Sequence, residues 1–167
     1  MSIKVAQDVF TQDTLGKLHA FSRDGRQPTA TNFFSYQPHI VGFSNAVFCF
    51  YLDEDIKDAV LTELVSKGFL PYKPKKSHTY IHLFSRNSFI PWHDDSRYIY
   101  TVTVYLNESW DINLGGLFVY QDGDELKCIQ PTYNTAVYFV PPIGHTTTVT
   151  AINAPLRESL QIFVEEF

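Results

Sequence analysis

Pro91-Trp92-His93-Asp94-Asp95-Ser96 runs directly into Arg97-Tyr98-Ile99-Tyr100-Thr101-Val102-Thr103-Val104-Tyr105-Leu106, and this join decides how the chain is read. The second part alternates: Thr101, Thr103 and Tyr105 fall on one side of an extended segment, Tyr100, Val102, Val104 and Leu106 on the other. β-Branched and aromatic residues at this period predict a strand with an apolar face for a core and a polar face able to line a pocket. In the first part the same period sends His93 and Asp95 to one side and Asp94 away from it. An imidazole and a carboxylate are thereby directed at one point.

Downstream of the join, strand-like runs continue to the C-terminus at about 116–120, 125–130, 135–140, 145–151 and 158–165, with turn signals at Gly115-Gly116 and Gln121-Asp122-Gly123-Asp124. Upstream, a further run covers 78–85, and the alternating strand itself spans 97–106. Short strands at this spacing suit a sandwich, a barrel or a jelly roll. Before Pro71 the chain is helical in character. Thr11-Gln12-Asp13 caps a short helix with Leu15, Leu18 and Phe21 inward, and Asp53-Glu54-Asp55 opens a second one. Its stripe of Ile56, Val60, Leu61, Leu64 and Val65 ends at Gly68 and Pro71. The two helices are expected to cover one outer face of the sheet. Residues 22–45 read as loop, with short strands around Phe33-Phe34.

Composition bounds the rest. A chain of 167 residues with 44% hydrophobic and 16% aromatic content can build one substantial core, so we expect a single domain over 1–167, in which 1–75 support a β core over 76–167. The net charge of -5 leaves no basic excess for nucleic acid. Lys73, Lys75 and Lys76, the one basic cluster, read as a solvated loop. Cys49 and Cys128 sit among apolar or strand-like neighbours and read as reduced, buried thiols of a reducing compartment. No run of eighteen apolar residues and no leader-like N-terminus is present, so a cytoplasmic protein without a membrane partner is expected.

A third ligand completes the metal reading. His145 follows Pro141-Pro142-Ile143-Gly144, and two histidines with one carboxylate form the facial set used by non-haem Fe(II). His-x-Asp by itself is weak in a chain with six histidines. Two further residues strengthen it. Arg157 enters the strand Arg157-Glu158-Ser159-Leu160-Gln161-Ile162-Phe163, where a buried guanidinium requires an anion for its fork of donors; the alternative is a surface salt bridge. Tyr105 can offer its hydroxyl to the same anion. Trp92 reads as a rim or packing residue within reach of a substrate.

From Pro91 to Phe167 the sequence resembles the catalytic core of the Fe(II)/2-oxoglutarate-dependent dioxygenases, in their prolyl 4-hydroxylase-like branch. The motifs are His93-x-Asp95, Val104-Tyr105-Leu106-Asn107-Glu108-Ser109-Trp110 with Gly115-Gly116-Leu117, Gln130-Pro131-Thr132-Tyr133-Asn134, His145 and Arg157. The resemblance implies a mainly β (α+β) fold, a double-stranded β-helix of the jelly-roll or cupin kind with N-terminal helices packed on one sheet. It also implies that His93, Asp95 and His145 hold Fe(II), that Tyr105 and Arg157 bind 2-oxoglutarate, and that Thr101, Thr103 and Thr147 line its pocket. The expected reaction is hydroxylation of a C–H bond by O2 with decarboxylation of 2-oxoglutarate to succinate and CO2, with ascorbate as an accessory factor. A prolyl residue in a peptide or protein is the expected substrate; a free amino acid, another small molecule, or a non-catalytic metal-binding cupin-like module are the alternatives. Tyr80, His82 and Trp92 are the substrate-side candidates. The interval from His145 to Arg157 is wider than usual in that family, and residues 1–75 carry no matching motif.

Overall fold

A computed structural model describes residues 3–23 and 47–167. Its strands are β1 (Lys4–Ala6), β2 (Val47–Tyr51), β3 (Lys76–Phe84), β4 (Ile90–His93), β5 (Tyr100–Tyr105), β6 (Phe118–Asp122), β7 (Glu125–Ile129), β8 (Thr135–Phe139), β9 (His145–Thr147) and β10 (Arg157–Glu166). The helices are α1 (Gln12–Arg23) and α2 (Glu54–Ser66). The strands form two antiparallel sheets, a larger one ordered β1-β8-β5-β10-β3-β2 and a smaller one ordered β4-β9-β6-β7. This α+β arrangement is a double-stranded β-helix of the jelly-roll kind. The segment around Phe33-Phe34 falls outside the described residues.

The period-two pattern explains both faces of the larger sheet. Val102 and Val104 of β5, with Leu160, Ile162 and Val164 of β10, point outward into a core shared with Leu15 and Leu18 of α1 and Val60, Leu61 and Leu64 of α2. The helices thus cover one side of the larger sheet, as their stripes predict, and α2 ends where Gly68 takes φ +76°. The other side of the same strands faces the smaller sheet. Between β5 and β8, Asn134 adopts φ 51°, and its side-chain amide accepts from Phe10 N and donates to Phe10 O at 2.8 and 2.9 Å. That pair ties the N-terminal segment to the sheet, one side-chain amide satisfying both the N–H and the carbonyl of Phe10.

Several sequence expectations change in detail. The alternating run pairs only from Tyr100, because Arg97 and its neighbours turn to bring the chain off β4, and β9 stops at Thr147 rather than 151. Three short strands, β1, β2 and β4, were not expected; none is longer than five residues, too short for periodicity to separate from loop. Cys49 is buried, and desolvation pushes its thiol well above the usual range, but Cys128 is exposed on β7, the edge of the smaller sheet. An edge strand with little covering it leaves even its apolar positions in solvent. The lysine cluster is solvated and paired: Lys73 with Asp58, Lys75 with Glu166 and Lys76 with Glu165. No helix among the described residues is long and apolar enough to cross a membrane.

Candidate metal and anion site

His93 ends β4 and His145 begins β9, and the two residues are direct partners in the antiparallel register of the smaller sheet. Their ring centroids are 4.1 Å apart. Asp95 reaches them differently from the simple alternation expected: β4 has ended, and Asp95 takes φ 55°, a left-handed turn that Asp tolerates better than most residues. Its two carboxylate oxygens lie 3.5 Å from His93 Nε2 and 3.5 Å from His145 Nε2. One ligand atom from each residue fits within 4.8 Å of the others. Asp94, as expected, points away, and its carboxylate accepts from Ser96 N at 3.0 Å in the exposed turn.

Both imidazoles are prepared for metal through their other nitrogen. His93 Nδ1–H donates to the Pro91 carbonyl at 2.8 Å, and His145 Nδ1–H donates to the Ile143 carbonyl at 2.7 Å. A carbonyl can only accept, so Nδ1 carries the proton and Nε2 presents its lone pair to the shared point. Phe118 stacks on the His145 ring with centroids 5.0 Å apart, and Phe139 meets it edge-on at 5.2 Å. Burial without a counter-charge sets the electrostatics. Desolvation lowers His93, takes His145 down to about 4 and raises Asp95 to about 7. Neutral imidazoles are the form that can ligate a metal, and a divalent cation would restore the charge of the carboxylate.

The second part of the site lies on β10. Arg157, Ser159, Gln161 and Phe163 occupy alternate positions on the side opposite the helical core, and all four are buried. Arg157 is only 1% exposed and lies over the rings of Phe84 and Tyr105, 4.5 and 5.2 Å from their centroids. Burial lowers its pKa to about 10, so it stays charged at neutral pH. Among the described residues no carboxylate pairs with it, and its Nε has no hydrogen-bond partner; neither does the buried Tyr105 hydroxyl or Thr101 Oγ1. Desolvation holds Tyr105 as a neutral donor, its pKa pushed up to about 12. A buried guanidinium with unspent donors beside an unspent hydroxyl is costly unless an anion joins them.

A single cavity joins the two parts. It is lined by His93, Asp95 and His145, by Thr101, Thr103, Thr147 and Gln161, by Arg157, and by Phe118, Phe139 and Phe163. Gly116 lies against the Arg157 stem: at φ +64°, a Cβ there would lie 2.6 Å from Arg157 Cδ. Tyr105 is packed behind this lining at the guanidinium. Tyr80 and His82 are buried in β3, facing Gln161 and Ser159 across the strand pairing, and neither lines the cavity. Desolvation and the Arg157 charge lower the His82 pKa to about 3, which keeps that ring from adding a second positive charge. Trp92 is 41% exposed on a separate shallow surface with His93, Asp94, Pro142 and Gly144. Ser159, Gln161 and Phe118 were not singled out from sequence, and Gly116 was read only as a turn signal and part of a motif, although polar residues at 157, 159 and 161 in an otherwise apolar strand are a readable signal.

The metal and co-substrate implied by the sequence resemblance fit these residues: the ligand set matches, and the orphaned donors of Arg157 and Tyr105 face an anion-sized need. No protein-family model and no curated protein matches the sequence. Solved structures do resemble it. A prolyl-4-hydroxylase from Pseudomonas putida aligns over 99% of this chain and 92% of its own, with TM-score 0.72 and 16% identity. A prolyl hydroxylase from Trichoplax adhaerens, in complex with an oxygen-degradation-domain peptide of hypoxia inducible factor, aligns over 97% and 82%, with TM-score 0.71 and 13% identity. The non-heme alpha-ketoglutarate-dependent epimerase SnoN of nogalamycin biosynthesis aligns over 98% and 78%, with TM-score 0.70 and 11% identity. The chain therefore has the fold of the Fe(II)/2-oxoglutarate-dependent oxygenases.

Proposed function

We propose that this protein is an Fe(II)- and 2-oxoglutarate-dependent dioxygenase, acting as one domain, that hydroxylates a C–H bond, with a prolyl residue in a peptide or protein as substrate. The observation that carries this reading is the joining, in one cavity, of a cluster of two histidines and one carboxylate with a buried arginine that no described carboxylate pairs. His93 Nε2, His145 Nε2 and an Asp95 oxygen would hold Fe(II), and Arg157 with Tyr105 would hold the distal carboxylate of 2-oxoglutarate. When bound, the metal and co-substrate supply O2 activation coupled to decarboxylation of 2-oxoglutarate to succinate and CO2.

The chain's own residues supply placement. The Nδ1 hydrogen bonds to the Pro91 and Ile143 carbonyls keep both rings in the metal-binding tautomer. Arg157 fixes the far end of a dicarboxylate by charge and fork geometry, so its near end is presented to the ligand triad. Thr101, Thr103 and Thr147 line the space between them, while Phe118, Phe139 and Phe163 limit water around it. The prolyl assignment draws support from the two prolyl hydroxylases of similar fold. Small-molecule chemistry is the second reading, favoured by the similar fold of the epimerase SnoN.

The test is succinate formation by protein loaded with Fe(II), with 2-oxoglutarate alone and then with panels of proline-containing peptides and small metabolites. Turnover stimulated by a peptide supports the first reading and stimulation by a metabolite the second. If the loaded protein neither binds 2-oxoglutarate nor produces succinate, the reading fails.

A further inference from the structure

We infer that Gln161 is a positioning residue for the anion site: its side-chain amide determines whether the Ser159 hydroxyl donates to a bound carboxylate. The inference rests on the 2-oxoglutarate reading above.

Thr103 Oγ1 donates to Gln161 Oε1 at 2.7 Å, which turns the other end of the amide toward β10's preceding inward residue. Gln161 Nε2 there donates to Ser159 Oγ at 3.0 Å, and Arg157 Nη1 donates to the same oxygen at 3.4 Å. A hydroxyl has two acceptor positions and one proton. Both acceptor positions of Ser159 are occupied by these donors, so its proton is left to point at a ligand. With the Arg157 Nε and, behind it, the Tyr105 hydroxyl, neither partnered among the described residues, the Arg157 end of the cavity then has a floor of donors. Such a floor recognises a carboxylate and rejects a neutral or cationic group of equal size.

The opposite amide orientation would undo this. Gln161 Oε1 would face Ser159 and take its proton, and Nε2 would face Thr103. The amide is thus a polarity selector with Thr103 at one end and Ser159 at the other. Its location supports the assignment. Gln161 is 8% exposed, pairs directly with Thr103 in the β5–β10 register, and lines the cavity between the ligand triad and Arg157.

Gln161→Glu tests it. A carboxylate there can only accept, so it takes the Ser159 proton and competes for Arg157. Calorimetric titration of 2-oxoglutarate into Mn(II)-loaded protein should show affinity reduced about tenfold or more, with Mn(II) affinity unchanged. Gln161→Met, which keeps the length and removes the polarity, should lose severalfold and carries the test if the glutamate variant folds poorly. Coupling is the decisive readout, since a merely structural glutamine would not produce it. Ser159→Ala should weaken 2-oxoglutarate binding severalfold in the wild-type background, add nothing in the Gln161→Glu background, where the glutamate already holds the Ser159 proton, and cost less than in wild type in the Gln161→Met background, where the hydroxyl is no longer oriented. Additive losses, or variants that bind as tightly as wild type, would overturn the assignment of Gln161 alone. A wild-type protein that binds Mn(II) but no 2-oxoglutarate would instead overturn the proposed function on which it stands.

Discussion

Gly116→Ala is expected to loosen the anion site from behind, and the size of the effect can be worked from two numbers. Gly116 sits at φ +64°, and an added Cβ would approach Arg157 Cδ to 2.6 Å. The left-handed backbone costs a non-glycine residue about 1–2 kcal/mol. Restoring ordinary contact requires the Arg157 stem to retreat by about 1 Å, and forced rearrangement in a packed interior costs about 1–3 kcal/mol. Arg157 is a flexible side chain, so the protein should still fold, less stable by about 2–5 kcal/mol. The displaced guanidinium then meets the carboxylate with one hydrogen bond misaligned, worth about 1.5–3 kcal/mol, or roughly tenfold in affinity or more. The neighbouring glycine gives a harsher comparison. A Cβ at Gly115 would collide with the Val149 carbonyl oxygen, a backbone atom that accepts from Gly116 N and cannot swing aside. Gly115→Ala should therefore disrupt the β6 entrance and fold poorly. Gly16, in the middle of α1 with nothing near its Cβ position, serves as the control, and Gly16→Ala should stabilise by about 0.5–1 kcal/mol. Urea unfolding of the three variants and titration of 2-oxoglutarate into the Mn(II)-loaded Gly116→Ala protein are the assays. Wild-type midpoint and wild-type affinity for Gly116→Ala would refute the close approach to Arg157.

The remaining predictions concern the two halves of the site. Asp95→Asn keeps the left-handed turn and removes the charge, so Mn(II) or Fe(II) binding should fall below detection, whereas Asp94→Asn should bind metal like wild type; calorimetry with the metal alone separates them, and the reverse order would misassign the carboxylate. Arg157→Lys keeps a charge without the fork and should weaken 2-oxoglutarate binding by about tenfold, with Arg157→Ala weaker still and metal affinity intact in both. His82, lowered to about 3 in the fold, resists protonation while the unfolded chain takes a proton near pH 6.5. Its contribution is therefore absent above pH 6.5 and becomes a loss of stability as pH falls toward 3, at up to about 1.4 kcal/mol per pH unit. His82→Phe should flatten that part of the denaturation-versus-pH curve, and an unchanged slope would assign the acid sensitivity elsewhere.

The residues that were legible in the sequence are those whose role follows from local period. The α2 stripe, the two faces of β5, the direction of Asp94 and the strand entered by Arg157 are all statements about neighbours two, three or four positions away. The meeting of His93 with His145 required more than period. It depends on the β4–β9 register, which carries an irregularity between Ile90 and His93, and Asp95 arrives by a left-handed turn rather than by strand alternation. Gln161 was overlooked for a related reason. Its partners are Thr103, fifty-eight residues away, and Ser159, and only the sheet pairing reveals that the three form one chain of hydrogen bonds. Cys128 was misread because periodicity says which residues share a face but not whether anything covers that face.

β10 carries Arg157, Ser159 and Gln161 on one side and Leu160, Ile162 and Val164 on the other, with β3 and β5 paired along both edges. Such a strand can be re-registered only in two-residue steps if its faces are to be kept, each step moving Arg157 by about 6.6–6.8 Å along its axis. That displacement is several bond lengths, far coarser than one methylene of a dicarboxylic acid. Under the proposed function, the reach from the His93, Asp95 and His145 cluster to Arg157 would in effect be quantised by the sheet. Finer adjustment for a longer or shorter acid has to come from the anchor side chain itself, or from the small hydroxyl and amide groups that stand between it and the histidines.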